Sequence, residues 1–358
     1  MTKKKTTALH EVDGVSQPET TNKMAADKIK ATRNRQYSVD EYVSQILAGS
    51  IPFLSRAITL VESTKASHQE KANAILERCL AYANKSVRIG ITGVPGVGKS
   101  TFIESYGSYL TAQNKKVAVL AIDPSSSVNK GSILGDKTRM EALVTDPNAF
   151  IRPSPSGTSL GGVAQKTRET IILCEAAGFD TVIIETVGVG QSETAVHSMV
   201  DFFLLLKISG AGDELQGIKR GIIEMADAIV INKADGDNVQ NAKIAKTAFN
   251  RALHLYPPKE SKWIPKVLTC SALNHEGVDK IDAMINDYLS LTKTNGSFDK
   301  RRQEQNKYWL FATIEQQLKD NFYNNTLVSE ALSKAIEDLE KGTTTPFNAA
   351  EKLLKINR

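Results

Sequence analysis

Cysteine, histidine and aromatic residues are scarce in this 358-residue chain, and long apolar runs are missing. The three cysteines, Cys79, Cys174 and Cys270, stand far apart with no C-x-x-C pair. That spacing argues against a disulfide framework and predicts a reducing compartment, with each thiol a small core residue. The five histidines, His10, His68, His197, His254 and His275, are scattered and unpaired with the cysteines, so no thiolate–imidazole metal cluster is spelled out. Aromatics at 6% leave too few rings for a base-stacking surface, and no basic face is clustered, so no nucleic-acid partner is expected. A membrane span needs ~18 consecutive apolar residues. The best run here, Phe202 to Leu206, is short and ends at Lys207, so no membrane partner is expected either. The first residues lack the apolar centre of a secretory signal, and Glu11, Asp13, Glu19 and Asp27 do not suit a mitochondrial presequence. A cytoplasmic protein is the expectation.

What is present divides the chain. The net charge is +5, and part of it comes from Lys3, Lys4, Lys5, Lys23, Lys28, Lys30, Arg33 and Arg35. Residues 1–36 are polar with no apolar period and read as a disordered basic tail. Ser38-Val-Asp-Glu41 then forms a capping-box pattern ahead of Tyr42, Val43, Ile46 and Leu47 at helical spacing. Two further helical patterns, from Pro52 and from Gln69, complete a helical subdomain over 37–84. From 85 to 292 the pattern becomes short apolar runs starting at Val87, Val117, Thr181, Phe202, Ala228 and Lys266, separated by helical stretches. Such runs predict an α/β fold, a mostly parallel sheet buried by helices on both faces, with ligands beyond the carboxyl ends of the strands. Residues 293–358 read as a helical arm, with Trp309, Leu310, Ile314, Leu318 and Phe322, then Leu332, Ile336 and Leu339, at near-helical spacing.

Two motifs carry the chemistry. Gly93-Val94-Pro95-Gly96-Val97-Gly98-Lys99-Ser100 is a complete G-x-x-x-x-G-K-[ST] loop between a strand and a helix. Its glycines let backbone N–H groups turn inward around phosphates, and the following helix start adds a favourable dipole. Lys99 is read as the β,γ-phosphate ligand, Ser100 as the Mg²⁺ ligand and Thr101 as an α-phosphate donor. Asn232-Lys233-Ala234-Asp235 follows the Ala228 run directly. A carboxylate at Asp235 can accept from guanine N1–H and the exocyclic amine, which adenine cannot match. Asn232 would brace that loop, the Lys233 stem would cover the ring, and Ser271-Ala272-Leu273 would offer a backbone N–H to guanine O6.

Further motifs occur in one order: Asp123-Pro-Ser-Ser-Ser, Gly131 to Met140 with Asp136 inside it, Arg152-Pro-Ser-Pro, Gly161-Gly162, Glu185-Thr-Val-Gly188-Val-Gly-Gln-Ser-Glu193 and Gly212 to Lys219. Together with the two nucleotide motifs they resemble the methylmalonyl-CoA mutase-associated GTPases, a family formerly described as amino-acid-transport kinases, across roughly residues 40–320. The resemblance implies a P-loop GTPase with GTP or GDP as ligand and Mg²⁺ as cofactor. Asp123, Asp136 and Glu185 would join Ser100 on the metal side, and Lys99, Asp136, Glu185, Gly188 and Lys219 would serve hydrolysis. Gly188 would sense the γ-phosphate, and the segment around Gln216 and Lys219 would respond to a partner. Val189 stands where many small GTPases place a water-orienting Gln, so slow intrinsic hydrolysis, accelerated by a partner, is expected. Gln191 and Lys219 are candidates to align the water. The implied partner is an adenosylcobalamin-dependent acyl-CoA mutase, methylmalonyl-CoA mutase by default, with isobutyryl- and ethylmalonyl-type relatives open. A homodimer through the C-terminal arm is expected. The competing readings are a metallochaperone-type GTPase, a nucleotide-dependent protein kinase of amino-acid-transport components, and a scaffold that binds nucleotide without useful hydrolysis.

Overall fold

The computed structural model describes residues 37–122, 140–153, 160–186, 192–210 and 220–356. Three helices open it: α1 (Val39–Leu47), α2 (Ile51–Glu62) and α3 (Ala66–Cys79). The capping box at α1 is formed in both directions, Glu41 N–H to Ser38 Oγ at 3.1 Å and Ser38 N–H to a Glu41 carboxylate oxygen at 2.7 Å. Pro52 sits in the first turn of α2, where its missing N–H has no helical partner to lose. The three helices bury Tyr42, Ile46, Leu54, Ile58 and Ile75 in one core.

Seven strands follow: β1 (Val87–Gly93), β2 (Val117–Ile122), β3 (Ala149–Arg152), β4 (Thr181–Thr186), β5 (Phe202–Ile208), β6 (Ala228–Asn232) and β7 (Lys266–Thr269). They form one sheet in the order β3-β2-β4-β1-β5-β6-β7, and every pairing is parallel. Six are the apolar runs of the sequence. The seventh, β3, is a four-residue edge strand, mostly half-buried, whose short run Ala149-Phe150-Ile151 the sequence reading passed over. Between and after the strands come α4 (Lys99–Thr111), α5 (Glu141–Thr145), α6 (Leu160–Ala176), α7 (Ser192–His197), α8 (Arg220–Met225), α9 (Val239–Leu253), α10 (Val278–Thr294), α11 (Ser297–Tyr323), α12 (Thr326–Glu340) and α13 (Pro346–Ile356).

Alternate residues of each strand face opposite layers. Val182 and Ile184 of β4 join the core under α1–α3 and α6, whereas Ile183 joins the core under α4, α5 and α10. The chain runs outward from β1 to β2 and β3, then returns so that β4 inserts beside β1 and β5 lies on its other side. This reversal puts a topological switch point at β1, where α/β sheets bind ligands.

The opposite edge of the sheet is fastened by buried ion pairs. Arg88 of β1 donates to both carboxylate oxygens of Glu175 at 2.8 and 2.9 Å. Asp227, just before β6, accepts from Lys259 at 2.7 Å and from Arg301 at 3.1 Å. Burial alone would raise both carboxyls. Arg88 for Glu175, and Arg301 with Lys259 for Asp227, outweigh it and hold them low. Beyond this edge α11 buries Arg302, Gln305 and Trp309 and leaves Leu310, Phe311, Ile314 and Leu318 exposed. Among the described residues no helix is long and apolar enough to cross a membrane.

Candidate nucleotide site

The loop from Val94 to Gly98 joins the carboxyl end of β1 to α4, as its glycine spacing predicts. Gly98 has a left-handed φ of +90°, and a Cβ there would come within 2.8 Å of Asn232 Nδ2. Only glycine meets both conditions. Gly93 is equally constrained, since a Cβ would lie 2.6 Å from the Leu206 carbonyl of β5. Gly96, at φ +80°, has nothing within 4 Å on its Cβ side and faces open space. Pro95, Gly96 and Thr101 are exposed, Val94, Gly98 and Ser100 half-buried, and Val97 and Lys99 buried. Lys99 donates to the Gly93 carbonyl at 2.9 Å and reaches that of Val94 at 3.5 Å. Its ammonium therefore lies folded over the mouth of the loop. The first amides of α4 have no preceding turn of carbonyls to bond, which leaves this end of the helix able to receive an anion.

Glu185 lies near the end of β4, in register with Ile91 of β1 and Ala121 of β2. Strand alternation puts its side chain on the layer of Ile183, the α4 side, and it is 9% exposed. Lys99, Ser100 and Glu185 thus share one side of the sheet at its carboxyl edge. One residue further along, the Thr186 hydroxyl donates to that of Thr92 at 2.9 Å, tying the ends of β4 and β1 together.

The second motif completes the other half of the site. Asn232, the last residue of β6, is 1% exposed and bridges two loops. Its Nδ2 donates to the Val97 carbonyl at 2.9 Å, and its Oδ1 accepts from the Ala272 N–H at 3.1 Å. Lys233 takes a left-handed φ of +57° and is exposed. Asp235 is half-buried, and the Ser271 hydroxyl donates to its carboxylate. Leu273, 74% exposed, extends past this pair. Burial, and then the Asp235 charge, push the Cys270 thiol up to about 12, so it stays protonated as a small core residue.

Sequence reasoning assigned Ser271 only a backbone role, so the hydroxyl that orients Asp235 went unnoticed. It also passed over Asn238, whose Nδ2 donates to the Lys233 carbonyl at 2.7 Å and whose Oδ1 accepts from Ser209 at 2.7 Å. An Asn three residues past the motif, ahead of a helix, was the available signal. Asp123, Asp136, Gly188, Val189, Gln191, Gln216 and Lys219 lie outside the described residues. Among those described, no three His, Cys, Asp or Glu side chains gather as a metal cluster.

A family model described as methylmalonyl Co-A mutase-associated GTPase MeaB matches residues 54–327. The GTPase ArgK of Escherichia coli is 45% identical over 313 residues, spanning 87% of this chain and 95% of that protein. The mitochondrial methylmalonic aciduria type A homolog of Mus musculus is 42% identical over 330 residues, 89% of this chain and 80% of that protein. A crystal structure described as a LAO/AO transport system kinase superposes with a TM-score of 0.70 at 38% identity, covering 89% of this chain and 97% of that one.

Proposed function

This chain belongs to the methylmalonyl-CoA mutase-associated GTPase family and is a GTPase, and from that premise we propose that it is a nucleotide switch gating cofactor loading and protection of an adenosylcobalamin-dependent acyl-CoA mutase. Methylmalonyl-CoA mutase is the default client, by the name of the matched family. The observation that carries the nucleotide half is Asn232, hydrogen-bonded to the phosphate loop on one side and the base loop on the other.

In this reading GTP lies across the carboxyl edge of β1 and β6. Lys99 turns from the Gly93 carbonyl to the β- and γ-phosphates, and Thr101 serves the α-phosphate. The Asp235 carboxylate, held by Ser271, accepts from guanine N1–H and the exocyclic amine, and the Ala272 N–H meets O6. Adenine would set its amino group against that N–H and leave the carboxylate unsatisfied, a discrimination that buried polar partners make large. Mg²⁺ fits the donors present, because it takes phosphate oxygens and water with only one or two protein oxygens. The Ser100 hydroxyl and the Glu185 carboxylate, on the same side of the sheet, would hold it; the other candidate acids, Asp123 and Asp136, lie outside the described residues. When bound, it neutralises charge on the β- and γ-oxygens. Hydrolysis adds a water oxygen to the γ-phosphorus and breaks the bond to the bridging oxygen, which leaves with GDP. The chain's own part is to position the triphosphate and balance charge. The remaining task, aligning the water, falls to Gln191 or Lys219 under control of the partner, so the chain alone should turn over GTP slowly, as Val189 in the place of a water-orienting Gln suggests.

The exposed apolar stripe of α11, with Phe347 of α13 at 87% exposure, suits a homodimer through the C-terminal arm. Free, buried Cys79, Cys174 and Cys270 suit a reducing, cytoplasmic setting. The test is co-purification of the endogenous mutase with this chain loaded with GDP or a non-hydrolysable GTP analogue, alongside GTP turnover with and without that mutase. Nucleotide-dependent capture and faster turnover support the reading. Rapid turnover that mutase leaves unchanged overturns the switch.

A further inference from the structure

The loop that presents Ser271 and Ala272 is attached to the phosphate helix at a second place. Ser271 and Glu276 exchange backbone hydrogen bonds at 3.0 and 3.1 Å, closing residues 271–276 into a small ring. Gly277, at φ +79°, ends the ring against the strand before it, where a Cβ would sit 2.8 Å from the Thr269 carbonyl. Within the ring the Asn274 N–H bonds the Ser271 hydroxyl at 3.2 Å. On the strand side it is held by Asn232, which accepts from the Ala272 N–H. On the helix side His275, at a left-handed φ of +58°, turns its ring towards α4 and places Nδ1 2.7 Å from the Ser105 hydroxyl. Ser105 is 2% exposed on α4, the helix that begins with Lys99 and Ser100, and its neighbour Tyr106 bonds Asp282 of α10 at 3.0 Å.

We propose that His275 is a positioning residue for the nucleotide: through Ser105 it braces the base loop against the phosphate-binding helix and so slows release of guanine nucleotides. The proposal rests on the nucleotide reading above. Asn232 and His275 approach the ring from different sides, and both lines of hydrogen bonds end on the same unit, the former at the Val97 carbonyl and the latter at α4. Two such attachments fix where Ala272 N–H and Ser271 stand relative to the phosphates, and Ser271 in turn orients Asp235. Without His275 the ring keeps only its links on the β6 side, to Asn232 and Asp235, so it can pivot about β6 and the base contacts can open without disturbing the phosphate contacts. Either imidazole tautomer makes the bond, since Nδ1 can accept the hydroxyl proton or donate to the oxygen. His275 itself is exposed, so replacing it removes the brace and little packing.

The experiment is stopped-flow release of a fluorescent GDP from the full chain and from His275→Ala, Ser105→Ala, the double variant and His275→Asn, with urea unfolding of each. Loss of one net hydrogen bond predicts release faster by about three- to tenfold. The two single variants should match, the double variant should exceed neither, and His275→Asn, which keeps an acceptor and donor near the Nδ1 position, should recover most of the wild-type rate. Urea midpoints should fall by no more than the loss of that one hydrogen bond accounts for. Unchanged release in His275→Ala, additive effects, or no recovery with Asn overturns the brace while wild-type selectivity for GTP over ATP keeps the site reading intact. Equal affinity of the wild type for GTP and ATP overturns that reading and the brace with it.

Discussion

Arg302 grips Asp201 with two arms, Nε at 2.8 Å from one carboxylate oxygen and Nη2 at 2.7 Å from the other, and Asp201 is 1% exposed. The same guanidinium donates to the carbonyls of Asn84 and Ser86 at 2.8 and 2.7 Å, while Asp201 also accepts the Arg88 N–H at 2.8 Å. One residue of α11 therefore ties the loops entering β1 and β5 together at the edge of the sheet away from the nucleotide. Removing one partner strands the other as a buried charge, which costs about 3–5 kcal/mol. Arg302→Ala should lower the free energy of unfolding by that much in urea titrations, and Arg302→Lys should recover only part, because an ammonium cannot make the fork. A loss below about 1 kcal/mol, the value of an exposed pair, would mean that the arm is held by something else.

Guanine selectivity should pass through Asp235. Asp235→Ala removes two charge-assisted acceptors and should weaken GTP binding by about two orders of magnitude, with ATP binding little changed. Asp235→Asn should gain affinity for xanthosine nucleotides, because its amide pairs a donor with xanthine O2 while still accepting from N1–H. Ser271→Ala should give a milder loss, since it frees the carboxylate to rotate without removing it. Competition titrations with the three nucleotides measure all of this, and an Asp235→Asn variant that still prefers GTP would refute the base contact.

How much of this was legible beforehand follows from how local each signal is. The phosphate loop could be read because Gly98, Lys99 and Ser100 must be consecutive for the chemistry to work. The Ser38–Glu41 box could be read for the same reason, and the structure forms it. Asn232 was expected to brace its loop; the groups it bonds, the Val97 carbonyl and the Ala272 N–H, lie far away in sequence and only the sheet order brings them close. The buried charges were the least legible. Glu175, Asp201, Asp227 and Arg302 each look like an ordinary surface residue on a helix or beside a strand, and nothing local says that they meet. Arg88 was the exception in principle, a cation inside the apolar run Val87-Arg-Ile with a strand on each side, where a buried partner is obligatory. Helix α13 falls inside the arm read as helical over 293–358, but its start at Pro346 and its own apolar positions, Ala349 and Leu353 buried and Phe347 and Leu354 exposed, were not singled out.

Lys99 should be required for turnover. Its ammonium lies at the mouth of the phosphate loop, bonded to the Gly93 carbonyl. Lys99→Ala should cut single-turnover GTP hydrolysis by at least about a hundredfold, because phosphoryl transfer depends on positioning and charge balance. Retention of near-normal hydrolysis would place the chemistry elsewhere. Chelation of divalent ions should stop turnover in the wild type as well, and restoring Mg²⁺ should bring it back in the wild type only.

His197 should give stability a pH dependence above the carboxylate range. Its ring lies at the end of α7, edge-on to Phe203 with centroids 5.5 Å apart. Burial, and then the positive charge of Arg301, bring its pKa down from 6.5 to about 4. Above pH 6.5 the ring is neutral in both folded and unfolded chains, and its contribution is complete. As the pH falls from 6.5 towards 4 the unfolded chain takes up the proton first, so stability drops by up to about 1.4 kcal/mol per unit. Below about 4 the folded ring protonates too and the loss from this group levels off. Glu175 and Asp227, held low by their arginines, act in a lower window, because their stabilisation starts to fade only as the pH passes below the ordinary carboxylate values. Urea midpoints measured from pH 8 to pH 4.5 should therefore slope downward in the wild type, while His197→Gln, which cannot protonate, should run nearly flat over that range. Should both slopes coincide, the titrating group is not His197, and the ring at the end of α7 must have water enough to carry its charge in the folded state.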